Sequence, residues 1–378
     1  PKKSVARTEN LIVCLGPGKF ETKGPYDYLI NAPHRQAEGF TIGKGWRIHG
    51  AGADRTTVQL IAYLAATSLD NPRHKPAGTG IVFATNSDNA SGIEISDLTV
   101  DANYSALKAA ATRAGIKVLN LDAILLRSDL GGHWIHDVNI VNTIGEITEG
   151  FPVALYSVRY SNPPTANNGN VIERVKVRGF GGGKSTAIVV ANAVAEVRNN
   201  VVEGMQIAYG GWIMGPVWFH DNLAVDSDYG FNCDSLANRD VRFERNRIIH
   251  PRSYGIVVGG PGTYANFKIS ENTIEIDKPG VIGLLFRGNV TGAVVRGNNI
   301  LATPGTKATA VRNYTGELQA GPNLDNVYES NRISSGLKVA FNGLSWKSRS
   351  CVFGNLDEQG KPSKELQNNH AGPCVAGK

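Results

Sequence analysis

The sequence predicts an all-β solenoid, and three observations carry that expectation. Seven asparagines stand at the same place in a recurring phrase: VRNNVV (Asn200), FHDNLA (Asn222), FERNRI (Asn246), ISENTI (Asn272), VRGNNI (Asn298), YESNRI (Asn331) and VFGNLD (Asn355), at steps of 22, 24, 26, 26, 33 and 24 residues. Stretches such as AIVVANAVAEVRNNVV and GIVVGGPGTYANFKISENTIEI break short β-branched runs with Gly, Asn and charge, and show no apolar pattern at helical spacing. Glycine, at 44 of 378 residues, is spaced in order between those runs, which is turn chemistry and not low complexity. A period in the twenties describes a unit too small to bury its own apolar face, so successive units must stack.

Each coil of roughly 22 to 26 residues has room for three short strands and three turns. Coils stacked about 4.8 Å apart form long parallel sheets, and their inward side chains form one apolar column. The asparagine is expected at a left-handed bend between two strands, its side chain bonding along the stack. On that reading the ladder is architecture and not a set of ligands. Upstream, ISDLTV, IHDVNI and IERVKV carry the same phrasing with Leu98, Val138 and Val175 in the ladder position, so the repeat reaches most of the chain. Residues 102 to 115, ANYSALKAAATRAG, read as a short helix replacing a turn, and residues 160 to 170, YSNPPTANNGN, as a polar loop. Such insertions either wall a groove or cover a sheet edge.

Ahead of the repeat, LIVCLGPGKFETKG and GWRIHGAGADRTTVQLI resemble the opening coils of bacterial proteins of the pectate-lyase-like superfamily. The resemblance spans roughly residues 10 to 355 and implies a single-stranded right-handed parallel β-helix with N-terminal and C-terminal caps. The uninterrupted repeat suggests one elongated domain over residues 1–378, with a cap and first coil at 1–44, coils at 45–355 and a tail at 356–378. The superfamily includes lyases, hydrolases, epimerases, phage tailspikes and non-enzymatic surface proteins, so it implies a fold without choosing a reaction. The Asn-Thr-Asp, Asp-Asp, Gly-His-Gly and Arg-Ile-Lys motifs of polygalacturonases are absent, as is the Trp- and Arg-bearing signature of the main pectate lyase family. HPRSYG is slightly similar to the Asp-Pro-His motif of alginate epimerases, in a different order.

A formal charge of +6 and a pI near 9.1 favour an anionic partner, and an acidic polysaccharide fits that field. Basic residues that merely solvate turns would give the same charge. They are spread along the coils without a recognised binding motif, which argues against nucleic acid. The longest apolar stretch, LIAYLAATSL, falls short of the 18 or so residues of a membrane span, and PKKSVARTEN lacks a signal peptide's apolar core. Secretion is the superfamily's ordinary setting, so an extracellular or periplasmic location is expected. Of four cysteines, Cys351 and Cys374 are placed to pair and pin the tail, while Cys14 and Cys233 read as buried thiols. No zinc spacing is present, and no cofactor is expected, with calcium the one candidate metal. The C-terminal EQGKPSKELQNNHAGPCVAGK shows no heptads, which suggests a monomer.

Chemistry is expected where polar side chains interrupt equivalent strands. Aligning AILLRSD, VALYSVRY, AIVVANA, GWIMGPV, GFNCDSL, GIVVGGP, GLLFRGN and TAVRNYT suggests a polar face with Arg127, Asp129, Tyr156, Arg159, Asn192, Asn232, Asp234, Arg287, Asn289, Arg312 and Tyr314. Gly259 and Gly260 would leave a trough between Asp234 and Arg287. One turn brings Asp226, Asp228 and Tyr229, and the next brings His250, Arg252 and Tyr254. The candidate catalytic residues are Asp234, Asp228, His250, Tyr254 and Arg287, with Arg252, Arg312, Asn232, Tyr314 and Arg159 as substrate binders.

For β-elimination, Arg287 or Arg252 would neutralise a uronate, His250 or Arg312 abstract the adjacent proton, and Tyr254 protonate the leaving oxygen. A hydrolase would use Asp228 and Asp234 instead. Asp and Tyr before Gly are also ordinary turn residues, and Arg pairs with Asp on many surfaces. The expected function is a polysaccharide lyase on an extended anionic glycan. A hydrolase, an epimerase and a non-catalytic glycan-binding surface protein are the alternatives.

Overall fold

The computed structural model describes residues 9–23, 40–66, 77–85, 89–143, 145–146, 148–156, 169–179, 184–211, 215–233, 237–260, 262–314, 325–341 and 350–363. These cluster into two compact units. One comprises Pro1–Ala195 and Asn200–Gln206, the other Glu196–Asn199 and Ile207–Lys378.

In the first unit, parallel register runs from Ile48 to Ile95, Ile135 and Ile172, all buried, so one isoleucine per coil builds an inner column. A second stack pairs Ala77–Thr85 with Val118–Arg127, which pairs with Val153–Tyr156 and then Lys184–Ala191. The helix Tyr104–Arg113 forms in the Ala-rich insertion and buries Tyr104, Leu107 and Ala111, three residues at helical spacing. The polar loop expected at 160–170 lies, apart from its last two residues, outside the described residues.

In the second unit the inner column mixes aromatic and aliphatic residues, Phe219, Phe243, Ile269, Val295, Tyr328 and Val352 in register. Beside it Ala224, Ile248, Ile274, Ile300 and Ile333 form another. Three coils here carry a fourth short strand, Ala237–Arg239, Thr263–Ala265 and Asn289–Thr291, where three strands per coil were expected. Those segments pair with one another in register, which satisfies backbone groups a plain turn would leave to water.

All seven ladder asparagines are buried. Asn246 shows the pattern: its backbone N–H and its Nδ2 both donate to Oδ1 of Asn272, at 3.0 and 2.9 Å, and Nδ2 also donates to the Phe219 carbonyl at 2.9 Å. The left-handed bend falls one residue earlier than expected, at Asp97, Asp137, Arg174, Asn199, Asp221, Arg245, Glu271 and Ser330, with φ between 53° and 59°. The reason is geometric. The bend turns the next side chain inward, where only a group that both donates and accepts can serve the backbone of two coils. In the first unit Val175 occupies that inward place, and its N–H is capped by Asn200 Oδ1 at 2.9 Å.

Cys351 is disulfide-bonded, and Cys374 lies outside the described residues. Cys233 is a buried free thiol, but Cys14 is exposed and not buried. It shares the outward side of its strand with exposed Ile12, while Val13 turns the other way.

Candidate functional site

The strand Tyr229–Cys233 is continued in its stack by Tyr254–Val258, Ile282–Arg287 and Thr309–Tyr314. Phe231 packs inside against Phe219 and Phe243. Tyr229 and Tyr254 instead pack on a separate apolar cluster of Val257, Ile282 and Leu285. Their rings are tilted by 41° with centroids 4.8 Å apart, and both are part-exposed. Asn232 lies in the row that continues through Val257 and Leu285 to Arg312. It is 6% exposed, and its Oδ1 has no hydrogen-bond partner. A buried acceptor left without a donor costs about 1 to 3 kcal/mol, so such a group marks a place that a ligand donor or water completes.

The two preceding turns are neighbours. Arg252 Nε lies 2.7 Å from Asp228 Oδ1, and His250 Nδ1 lies 3.6 Å from Asp226 Oδ1. The Asp228 carbonyl accepts the N–H groups of Ser253 and Tyr254 at 3.0 and 2.9 Å, which fixes where Tyr254 enters its strand. Asp226 and His250 are both left-handed, with φ of 49° and 51°, so the bend repeats in successive coils.

Other candidates fall elsewhere. Arg287 is at the far end of its strand from Ile282, the residue beside Tyr254, five residues or about 16 Å away. Its Nε donates to the Gly259 carbonyl at 3.2 Å. The gap expected at Gly259 is absent: a Cβ there would sit 1.6 Å from the Arg287 carbonyl oxygen, and φ is +123°. Glycine serves close backbone approach here, not a trough. Tyr314 pairs through its backbone with Arg287, and its side chain is outside the described part, as are Asp234 and Arg159 entirely.

The face expected to be polar is mostly apolar. In the first unit Ile81, Ala84, Leu125, Ala154, Tyr156, Val189 and Ala191 form one buried cluster. Parallel sheets buried on both faces read as nearly continuous apolar runs, which defeats an alternation argument. The strand expected around GWIMGPV is Ile207–Gly211, so Gly210 lies opposite Asn232.

A second kind of cluster escaped the sequence reading. In the first unit Trp134 and His136 are stacked at 3.9 Å and 29°. His136 Nδ1 lies 2.8 Å from Asp137 and Nε2 lies 3.3 Å from Glu94, while Arg174 donates twice to Asp137 at 2.8 and 2.9 Å. The second unit repeats the arrangement within itself. Trp218 and His220 stack at 3.9 Å and 30°, His220 meets Asp221 and Glu196 at 2.6 and 2.9 Å, and Arg245 donates twice to Asp221. The signal was the tetrapeptide pair WIHD and WFHD, whose partners arrive from adjoining coils.

Arg174, and after it His136, hold the Asp137 carboxyl down at about 2 against an opposing burial effect. Arg245 does the same, in direction, for Asp221. A depressed carboxylate stabilises the fold fully above its unfolded value and loses that contribution as pH falls through the folded value. Thermal melts between about pH 5 and about pH 2 should therefore show wild type losing stability faster than Asp137→Asn, with the two converging at the acid end. Parallel curves would remove the linkage.

No family model matches the chain, and no curated protein matches it in sequence. In structure it is similar to the A-module of a mannuronan C-5 epimerase from Azotobacter vinelandii, with a TM-score of 0.54 and 15% identity over 96% of this chain and 87% of that one. The chain has the right-handed parallel β-helix fold. The tailspike protein of E. coli bacteriophage HK620, solved in complex with a pentasaccharide, aligns to this β-helix with a TM-score of 0.51 and 10% identity, over 92% of this chain and 72% of that one. Identities this low speak for the β-helix and not for a shared reaction.

Proposed function

We propose that the protein acts on an extended anionic polysaccharide by β-elimination at a uronic acid. The observation that supports this most is the pairing of Tyr229 and Tyr254 beside an Asn232 carbonyl that has no donor. Aromatic faces carry sugar rings, and a buried acceptor without a protein donor discriminates for a hydroxyl. Two proteins with this fold bear carbohydrate names or ligands, mannuronan in one and a pentasaccharide in the other.

In this reading Arg252, oriented by Asp228, neutralises the uronate carboxylate and so acidifies the adjacent C–H. His250 removes that proton, the electron pair forms the new C=C bond, and the glycosidic C–O bond breaks. The departing oxygen takes its proton from the Tyr254 hydroxyl. A hydrolase needs two carboxylates free to face the bond, and Asp228 is held by Arg252 at 2.7 Å, which favours elimination over hydrolysis. The reading requires no cofactor, works for a monomer, and fits an extracellular or periplasmic protein.

The purified protein should be incubated with alginate, pectate and glycosaminoglycans, with and without calcium and chelator. The expected result is the ultraviolet absorbance of an unsaturated uronate. New reducing ends without that absorbance would replace elimination by hydrolysis, and neither signal on any polymer would leave a binding protein.

A further inference from the structure

Trp134 is 40% exposed and is the one aromatic among the exposed large apolar residues of the described part. Its ring is nevertheless fixed. The indole N–H donates to Glu173 Oε1 at 3.0 Å, and the ring stacks on His136, itself held at both nitrogens by Asp137 and Glu94. Asp137 is held in turn by the twofold donation from Arg174. Three consecutive coils thus brace one side chain that the interior does not use.

The twin cluster shows that the brace does not require this exposure. Trp218 stacks on its histidine with the same spacing, yet it is more buried and its indole N–H is enclosed with no partner. At Trp134 the N–H is tied to a carboxylate and the ring remains open to solvent. An aromatic plate already ordered by its neighbours loses little conformational entropy when something stacks on it.

The row that holds Trp134 supplies polar groups of the right kind. Parallel register puts Glu94 beside Trp134 and Arg47 beside Glu94, with Arg47 Nε 3.6 Å from Glu94 Oε2. A planar carboxylate and a planar guanidinium next to an indole can accept from and donate to vicinal hydroxyls while the ring meets a C–H face. The charges named here are two guanidiniums, Arg47 and Arg174, against three carboxylates, Glu94, Asp137 and Glu173, so no surplus of positive charge at Trp134 selects an anionic ring.

We propose that Trp134, with Glu94 and Arg47, is a carbohydrate-binding platform that stacks one pyranose ring of a polysaccharide chain. The platform belongs to the first unit and is independent of the elimination chemistry assigned to Tyr254 and its neighbours. It holds polymer and does not transform it.

Affinity electrophoresis of the full chain in gels containing a neutral mannan, a neutral glucan, alginate or pectate tests this. Wild type should be retarded by at least one of them, and Trp134→Ala should weaken that retardation about tenfold. Trp134→Phe, which keeps an aromatic plate, should stay within about threefold of wild type, and Trp218→Phe should match it. Glu173→Ala, which removes the acceptor of the indole N–H and so loosens the ring without removing it, should fall between and guards against misfolding of the Trp134→Ala variant. Retardation unchanged in Trp134→Ala, or absent for wild type in every gel, overturns the proposal. Turnover of short oligosaccharides by Trp134→Phe is measured separately, so failure of the platform and failure of the elimination reading are told apart.

Discussion

Replacing Asn272 by Ala is expected to destabilise the protein by about 3 to 6 kcal/mol. Asn272 is 0% exposed, and its amide completes four bonds. Oδ1 accepts the backbone N–H and Nδ2 of Asn246 at 3.0 and 2.9 Å, while Nδ2 donates to the Phe243 carbonyl and to Asn298 Oδ1 at 2.8 and 2.9 Å. Alanine leaves the Asn246 N–H and the Phe243 carbonyl without these partners in a dry interior. Each stranded group costs about 1 to 3 kcal/mol, and the vacated volume adds to that. The total is a large part of the roughly 5 to 15 kcal/mol by which a native domain is held. Denaturant titration of Asn272→Ala beside Asn289→Ala, a partly exposed control, checks it. A loss below about 1 kcal/mol would show that the ladder is ornament and that the apolar columns alone hold the coils.

Under the proposed elimination, Tyr254→Phe is expected to lower kcat by about two to four orders of magnitude with little change in KM, because the ring still packs against Tyr229 and only the proposed proton donor is gone. Asn232→Ala should do the reverse, raising KM with a smaller effect on kcat, since in the proposed mechanism its carbonyl, which has no donor in the protein, binds and does not react. Steady-state kinetics on both variants, with thermal melts to show that each is folded, separates the roles. Full activity of Tyr254→Phe would assign the leaving-group proton to another residue.

The ladder was readable because one residue type recurs at one place, and each recurrence is a statement about the same buried position. Its detail was not. The bend belongs to the preceding residue, whether Asp221, Arg245 or Glu271, and only backbone geometry distinguishes a residue that turns the chain from one that fills the space inside the turn. The adjacency of the Asp228 and Arg252 turns followed from period alone, since residues one coil apart must touch. The placement of Arg287 did not follow, because its position along the strand sets it apart from Tyr254 although both lie in the same stack.

The same limit explains the missed clusters. WIHD and WFHD are visible in the sequence, but the carboxylate that meets His136 lies 42 residues away and the one that meets His220 lies 24 away. Insertions of unequal length between coils erase that correspondence in the linear text.

The sequence by itself determined that this chain coils, how long each coil is, and which asparagines form the ladder, because those are periodic properties and period survives without coordinates. Only the tertiary structure decided which side chains share a face, that Gly259 admits a backbone and not a ligand, and that Trp134 stands braced in solvent. The physical reason is register: a shift of one residue along a strand reverses the side to which every side chain points, and the geometry of the turns between strands helps to set that shift.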